Sequence, residues 1–151
     1  PDLANNYGVT PLNVASMNGH HATVAVLLAH GAQPDLAMNN GQTPLLIAST
    51  NGHEATVAAL LANGARLDLA DKNRWTPLSI AKDRGHAEVV AALLSASADV
   101  NQARTDGGAT PLFIASQNGH GDVVSVLVDA GAEVDDTRPL MLPQADAFFC
   151  K

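Results

Sequence analysis

Six histidines, at positions 20, 21, 30, 53, 86 and 120, are the residues of this 151-residue chain best suited to binding a metal or moving a proton. Four of them follow a glycine: His20, His53, His86 and His120, which stand 33, 33 and 34 residues apart. Ligands of one metal must converge on a single point, whereas residues set one period apart are held apart by the length of a whole unit. The Gly-His positions therefore predict structural hydrogen bonding through the two ring nitrogens, and His21 and His30 are expected to face solvent. His53-Glu54 is not continued into the two-histidine zinc-helix pattern, and no Ser-His-Asp grouping, Cys-His pair or glycine-rich phosphate loop stands out. The expectation is a chain that is not an enzyme, with no catalytic residue, metal site or cofactor.

The histidines close an eleven-residue phrase written four times, TPLNVASMNGH (10–20), TPLLIASTNGH (43–53), TPLSIAKDRGH (76–86) and TPLFIASQNGH (110–120). A second anchor keeps the same period, since Asp2, Asp35, Asp68 and Asn101 are each 33 apart, which places the one extra residue in the loop QARTDGGA. Self-similarity at this period means a stacked array in which each unit buries its faces on its neighbours. Within a unit, Thr is a good N-cap and Pro at the first helical position loses nothing by lacking an N–H. A short helix of about two turns then runs to a glycine able to take the left-handed conformation. In EATVAALLANG a second helix places Val57, Leu60 and Leu61 at helical spacing and stops at Gly64. Val24, Leu27 and Leu28, then Val90, Leu93 and Leu94, then Val124, Leu127 and Val128 repeat that pattern. The remaining stretch, such as LDLADKNRW (67–75), reads as an extended, turn-rich finger joining neighbouring units.

Composition narrows the function. The chain is 46% hydrophobic but 3% aromatic, so its interior is to be built from Leu, Val, Ile and Ala. A formal charge of −7 argues against a nucleic-acid partner, because phosphate affinity rests on clustered Lys and Arg. The single cysteine, Cys150, excludes an internal disulfide or a thiolate zinc cluster and suggests an intracellular, cytoplasmic setting. No apolar run approaches the roughly 18 residues of a membrane span, so no membrane insertion is expected, and Pro1 opens no recognisable signal peptide. PDLANNYG at 1–8 matches PDLAMNNG at 34–41, so the chain opens inside the repeat pattern and reads as a segment of a longer array.

Taken together, the recurrent TPL, NGH, V..LL and GA phrases resemble the ankyrin repeat from about Asp2 to Asp135. The resemblance implies an all-α repeat solenoid, a curved stack of antiparallel helix pairs with projecting β-hairpin-like fingers. Units fall near 5–37, 38–70, 71–103 and 104–136, with 1–4 ending a preceding unit and 137–151 forming a tail or partial cap. That tail carries Leu140, Met141, Leu142, Phe148 and Phe149 outside the repeat register. Two departures stand out. The position after Thr-Pro-Leu, commonly His in the family, holds Asn13, Leu46, Ser79 and Phe113, so that histidine's hydrogen bond is absent or replaced. Gly31, Gly64 and Gly131 end three outer helices, but the third unit has Ser97 there, which marks that unit as the weak one. Asn101 resembles the finger asparagine that asparaginyl hydroxylases modify.

A stack of this family usually binds another protein on its concave side. The register puts Asn6, Tyr7, Val9, Met17, Asn18, Asn39, Asn40, Gln42, Thr50 and Asn51 there, followed by Lys72, Asn73, Trp75, Asp83, Arg84, Asp106, Gln117 and Asn118. The only Tyr and the only Trp lie on fingers, and aromatic anchors are enriched among binding hot spots. Arg66, Lys72, Arg74, Lys82 and Arg84 fall within one repeat length and make the third unit locally basic, but they are interleaved with Asp68, Asp71, Asp83 and Glu88, which favours a solvated, salt-bridged surface over an acidic-peptide or phosphate site. Asp122, Asp129, Glu133, Asp135 and Asp136 make the C-terminal end acidic. Ala25, Ala29, Ala58, Ala62 and Ala91 on the outer helices reflect helix propensity more than lateral association, so a monomer is expected. The functional expectation is a non-catalytic module that binds a protein partner, the alternative being a structural spacer within a larger multi-repeat protein.

Overall fold

A computed structural model of the chain describes residues 1–101 and 110–134. These form eight α-helices in four antiparallel pairs. They are α1 (Pro11–Met17) with α2 (His21–Ala29), α3 (Pro44–Asn51) with α4 (Glu54–Ala62), α5 (Pro77–Arg84) with α6 (Ala87–Ser95), and α7 (Pro111–Gln117) with α8 (Gly121–Asp129). Each inner helix begins as the phrase predicts. Thr10, Thr43, Thr76 and Thr110 are extended, and their hydroxyl oxygens accept the N–H groups of Asn13, Leu46, Ser79 and Phe113. In the first and third units the side chain at that last position returns the bond, with the Thr10 N–H on Asn13 Oδ1 at 2.8 Å and the Thr76 N–H on Ser79 Oγ at 2.9 Å. Leu46 and Phe113 carry no acceptor, so the second and fourth units lack this reciprocal cap.

Inner helix packs on inner helix along the array, α1 on α3 on α5 on α7, and outer on outer, α2 on α4 on α6 on α8. The shared core is aliphatic: Leu12, Leu45 and Leu78 from the inner helices meet Val24, Val57 and Val90 and Leu28, Leu60, Leu93 and Leu127 from the outer ones. Its continuity across the unit boundaries makes the stack cooperative, since no unit could bury these side chains alone. No helix among the described residues is long and apolar enough to cross a membrane.

Two side-chain bonds join successive units. The imidazole Nε2 of His53 bonds the Met17 carbonyl at 3.0 Å, that of His86 the Thr50 carbonyl at 3.1 Å, and that of His120 the Asp83 carbonyl at 2.9 Å. A carbonyl only accepts, so Nε2 carries the proton. Each ring lies over the glycine of the preceding unit's own Gly-His pair: a Cβ at Gly19, Gly52 or Gly85 would fall within 2.7 Å of the next unit's Nδ1. His20, in the first of the four described helix pairs, is exposed. The second bond comes from the Asp anchor. Asp2 accepts the Gln33 N–H at 3.2 Å, Asp35 the Arg66 N–H at 2.9 Å, and Asn101 the Glu133 N–H at 3.2 Å.

The fingers are tight turns closed by paired backbone bonds, Met38 N to Gln42 O at 2.9 Å and Asp71 N to Trp75 O at 3.0 Å, with no strand among the described residues. Adjacent fingers touch through Asn39 N to Tyr7 O at 3.0 Å and Lys72 N to Asn40 O at 3.2 Å. The loop with the extra residue, together with Asp106, and the tail from 137 onward lie outside the described residues.

Candidate partner-binding groove

Every described residue expected on the finger and inner-helix side is exposed or half-buried there, and none is in the core. Between the second and third units that side closes into a groove of about 200 Å³ lined by Gln42, Leu46, Thr50, Asp71, Asn73, Trp75, Ile80 and Arg84. Five of these residues, Gln42, Thr50, Asn73, Trp75 and Arg84, are among those the sequence register places on this side. Leu46, Ile80 and Asp71 are not. Leu46 and Ile80 are inner-helix residues packed into the stack, at 1% and 6% exposure, while their edges still form part of the groove wall. Tyr7, 74% exposed, and Met17 lie one unit away, on the first finger and first inner helix, and do not line it.

The finger geometry explains how the groove is held. Asp71 begins the third finger and its Oδ1 accepts the N–H groups of both Asn73 and Trp75 at 2.9 Å, which fixes the turn and sets the half-buried indole beside the second unit's inner helix. Thr50, on the last turn of α3, donates its hydroxyl to the Leu46 carbonyl at 2.8 Å and so faces the groove with lone pairs.

The amide-rich surface expected from sequence is largely committed to the scaffold. Asn18 and Asn51 each donate Nδ2 to a carbonyl one turn back in their own helix, those of Val14 and Ile47, both at 2.9 Å. Asn39 donates Nδ2 to the Asn6 carbonyl at 3.1 Å, and Asn40 and Gln42 bond each other on one finger. Asn118 Nδ2 lies 3.4 Å from the Asp83 carbonyl and 3.3 Å from its Oδ1. Amide count alone cannot reveal this, because a backbone acceptor four residues away competes for the same hydrogens.

Charge is arranged differently from the expected interleaved salt bridges. Among the described residues one ion pair forms, Arg66 Nη2 to Asp68 Oδ2 at 2.9 Å, both side chains well exposed. The two-point hydrogen bonding by Arg66 holds the Asp68 carboxyl below its ordinary pKa. Lys72, Arg74 and Arg84 are exposed and pair with no carboxylate among the described residues. Lys82 is not on the surface at all. It is 1% exposed, its Nζ has no hydrogen-bond partner among the described residues, and burial pushes its pKa down to about 7 against the opposing pull of the Asp99 carboxylate. It stands in a slot filled by Ser16, Ser49 and Ser116 in the other units. Ser16 and Ser49 are buried, whereas Ser116 lines a concavity on the far face of the fourth unit, so the slot faces the next unit along the stack. Lys82 is therefore shut into the joint beneath the fourth unit.

That concavity, of about 370 Å³, is lined by Thr110, Leu112, Phe113, Ser116, Val124, Val128 and Val134. Its residues correspond to ones that the next unit covers elsewhere, as Leu12, Leu45 and Leu78 are covered at 1% exposure or less. It is a stacking face, and the expectation that the tail caps it concerns residues outside those described. Four of the five outer-helix alanines are exposed and Ala91 is half-buried. Among the described residues no group of three or more His, Cys, Asp or Glu could hold a metal ion.

No curated protein matches the chain. A family model for ankyrin repeats, three copies long, matches residues 1–71 and again 60–138, which takes in all eight helices, their threonine caps and the interlocked Gly-His pairs. On that match, and on the stack of helix pairs it describes, the chain belongs to the ankyrin repeat family.

Proposed function

We propose that the chain is a non-catalytic protein-interaction module whose partner lies along the concave finger and inner-helix surface, centred on the groove between the second and third units. Ankyrin repeats are generally protein–protein interaction modules, and the observation that carries the reading to this site is the groove itself. It combines an apolar wall of Leu46, Ile80 and Trp75 with polar groups from two fingers and two inner helices. At about 200 Å³ it is smaller than the roughly 300–1,000 Å³ of small-molecule sites, which suits one or two side chains of a larger partner. Tyr7, Met17 and the first finger extend the same surface by one unit. The lone cysteine favours an intracellular setting, and the array works as a monomer.

The alternative, a structural spacer in a longer array, draws support from the apolar stacking face that the fourth unit presents around Leu112, Phe113 and Val128. Affinity capture from cell extract separates the two. The intact chain is compared with a Gln42→Ala/Asn73→Ala/Trp75→Ala variant and an Ala25→Glu/Ala58→Glu variant of the outer face, once circular dichroism shows that all three are equally helical. A protein retained by the intact chain and the outer-face variant but lost by the groove variant is the expected result. Equal capture by all three removes the groove from the reading and favours the spacer.

A further inference from the structure

The groove is unequal in what it leaves over for a partner. Asp71 commits Oδ1 to two finger amides, and the neighbouring Asp83 has Oδ1 within reach of Asn118 Nδ2 and its carbonyl bonded to His120. The groove's donors are not engaged in the same way. The Arg84 guanidinium makes no ion pair and no hydrogen bond within the described residues, nor does the Asn73 side-chain amide, and Gln42 uses only its oxygen, as acceptor from Asn40. On the same finger Lys72 and Arg74 are exposed cations without a counter-ion among the described residues. In the other units the positions of Arg84 hold Asn18, Asn51 and Asn118, those of Lys72 hold Asn6 and Asn39, and those of Arg74 hold Gly8 and Gly41. Lys72, Arg74 and Arg84 thus concentrate exposed positive charge on the unit that forms one wall of the groove, on a chain whose formal charge is −7.

We propose that this groove seats an acidic segment of a partner protein, with an aliphatic side chain against Leu46, Trp75 and Ile80 and a carboxylate held by Arg84. This rests on the interaction reading above and specifies its partner. A guanidinium presents its donors in a fork that matches a carboxylate, and Asn73 and Gln42 supply further N–H groups to the same ligand. A cationic segment would meet Arg84, Lys72 and Arg74 with no unengaged pair of carboxylates to compensate, and like charges brought together across an interface are strongly disfavoured.

Trp75 is the only tryptophan, so its fluorescence reports on the groove directly. The test is selection from a displayed library of random twelve-residue peptides on the intact chain, followed by titration of the recovered peptides against Trp75 emission. The expected result is enrichment of Asp or Glu at a fixed spacing from Leu, Ile or Val. Replacing those acids by Asn or Gln, or Arg84→Gln in the chain, should weaken binding about tenfold or more at low salt, with Arg84→Lys recovering part of the loss. Peptides that perturb Trp75 but carry no acidic preference, or that bind Arg84→Gln as well as the parent, overturn the acidic segment while leaving the groove as a site. Peptides that bind without perturbing Trp75, or a selection that recovers none, overturn the groove itself.

Discussion

The second helix pair, α3–α4, and the third, α5–α6, follow the same phrase but hold their places by different means. In the second unit Gly41 and Gly64 take the left-handed backbone at φ 87° and 84°, Asp35 ties the finger to the Arg66 N–H, and a buried serine, Ser49, faces the next unit. In the third, Arg74 and Ser97 must adopt φ 64° and 72° with a side chain attached. Asp68 is turned aside to Arg66, no corresponding bond from Asp68 to the Asp99 N–H forms among the described residues, and a lysine amine fills the serine slot. Four positions, 72, 74, 82 and 84, hold cations in the third unit where the second has the neutral Asn39, Gly41, Ser49 and Asn51. The unit that supplies the groove's charge is thus the one whose scaffold is least regular. An array tolerates this because unit stabilities and joint energies roughly add, so neighbours of regular build hold an irregular member in place.

The largest effect is expected at the joint where the regular unit meets the irregular one. A methyl at Gly52 would lie 2.6 Å from His86 Nδ1 and would also sit at φ 73°. Gly52→Ala should therefore lower stability by about 2–4 kcal/mol, the sum of left-handed strain and a forced repacking of the imidazole. Gly64 has the same backbone, but a methyl there would meet no atom within 4 Å, so Gly64→Ala should cost only about 1 kcal/mol. Urea unfolding of both variants checks the difference. Equal losses would mean that the His86 ring yields freely, and the interlock would then not be what joins the two units.

Lys82 sharpens the comparison at the third unit's other side. Lys82→Met keeps the length of the side chain and removes the amine, and should raise stability at pH 7 by about 2 kcal/mol. The pH dependence has a definite sign. The folded-state pKa is lowered to about 7 from an ordinary 10.5, so between those values the unfolded chain carries a proton that the folded chain lacks. Wherever the unfolded state binds more protons, stability rises with pH. Relative to Lys82→Met, the parent should gain stability from about pH 7 to about pH 10.5 and run parallel below pH 7. Of the elements packed on α5, α3 and α7 carry no ionisable side chain; α6 brings exposed Glu88, with His86 at its cap bonded to the Thr50 carbonyl, and the segment after α6 brings Asp99. A flat difference across that window would show that the amine finds water in the folded state.

Much of this contrast is open to sequence reading, and its limits are physical. The period, the threonine caps and the glycine stops are local events, set by a few adjacent residues, and they appear where the phrase puts them. Ser97 is legible for the same reason, since a single position decides a left-handed cap, and Arg74 is legible in principle by the same comparison with Gly8 and Gly41. Lys82 escapes a reading by residue type, which suggests solvent, because its face on α5 is decided by the unit stacked above it. Alignment with Ser16 and Ser49 is the available signal. The amides of Asn18 and Asn51 look free in the sequence because their bonds to Val14 and Ile47 run back along the helix, a competition that composition does not show. Of the groove, the exposed rim is readable, whereas Leu46 and Ile80 belong at once to the core and to the wall.

The smallest predicted effect isolates the backbone contribution to the third unit's irregularity. Ser97 sits at φ 72°, and its N–H bonds the Leu94 carbonyl at 3.0 Å, as the N–H of Gly64 bonds Leu61 at 3.1 Å. The turn is therefore the same turn, made by a residue with a Cβ in a conformation that disfavours one. Ser97→Gly removes the steric penalty but gives the unfolded chain more freedom, so the net gain should be at or just under about 1 kcal/mol. Amide exchange in α6 should slow by up to about fivefold, with α4 little changed, if the strain is confined to its own unit. A gain spread equally over α4 and α6 would show instead that the joints couple the units too tightly for the third to be irregular on its own. Exchange that slows in neither helix would place the looseness in the buried amine and the missing Asp68 bond, leaving the left-handed serine without cost.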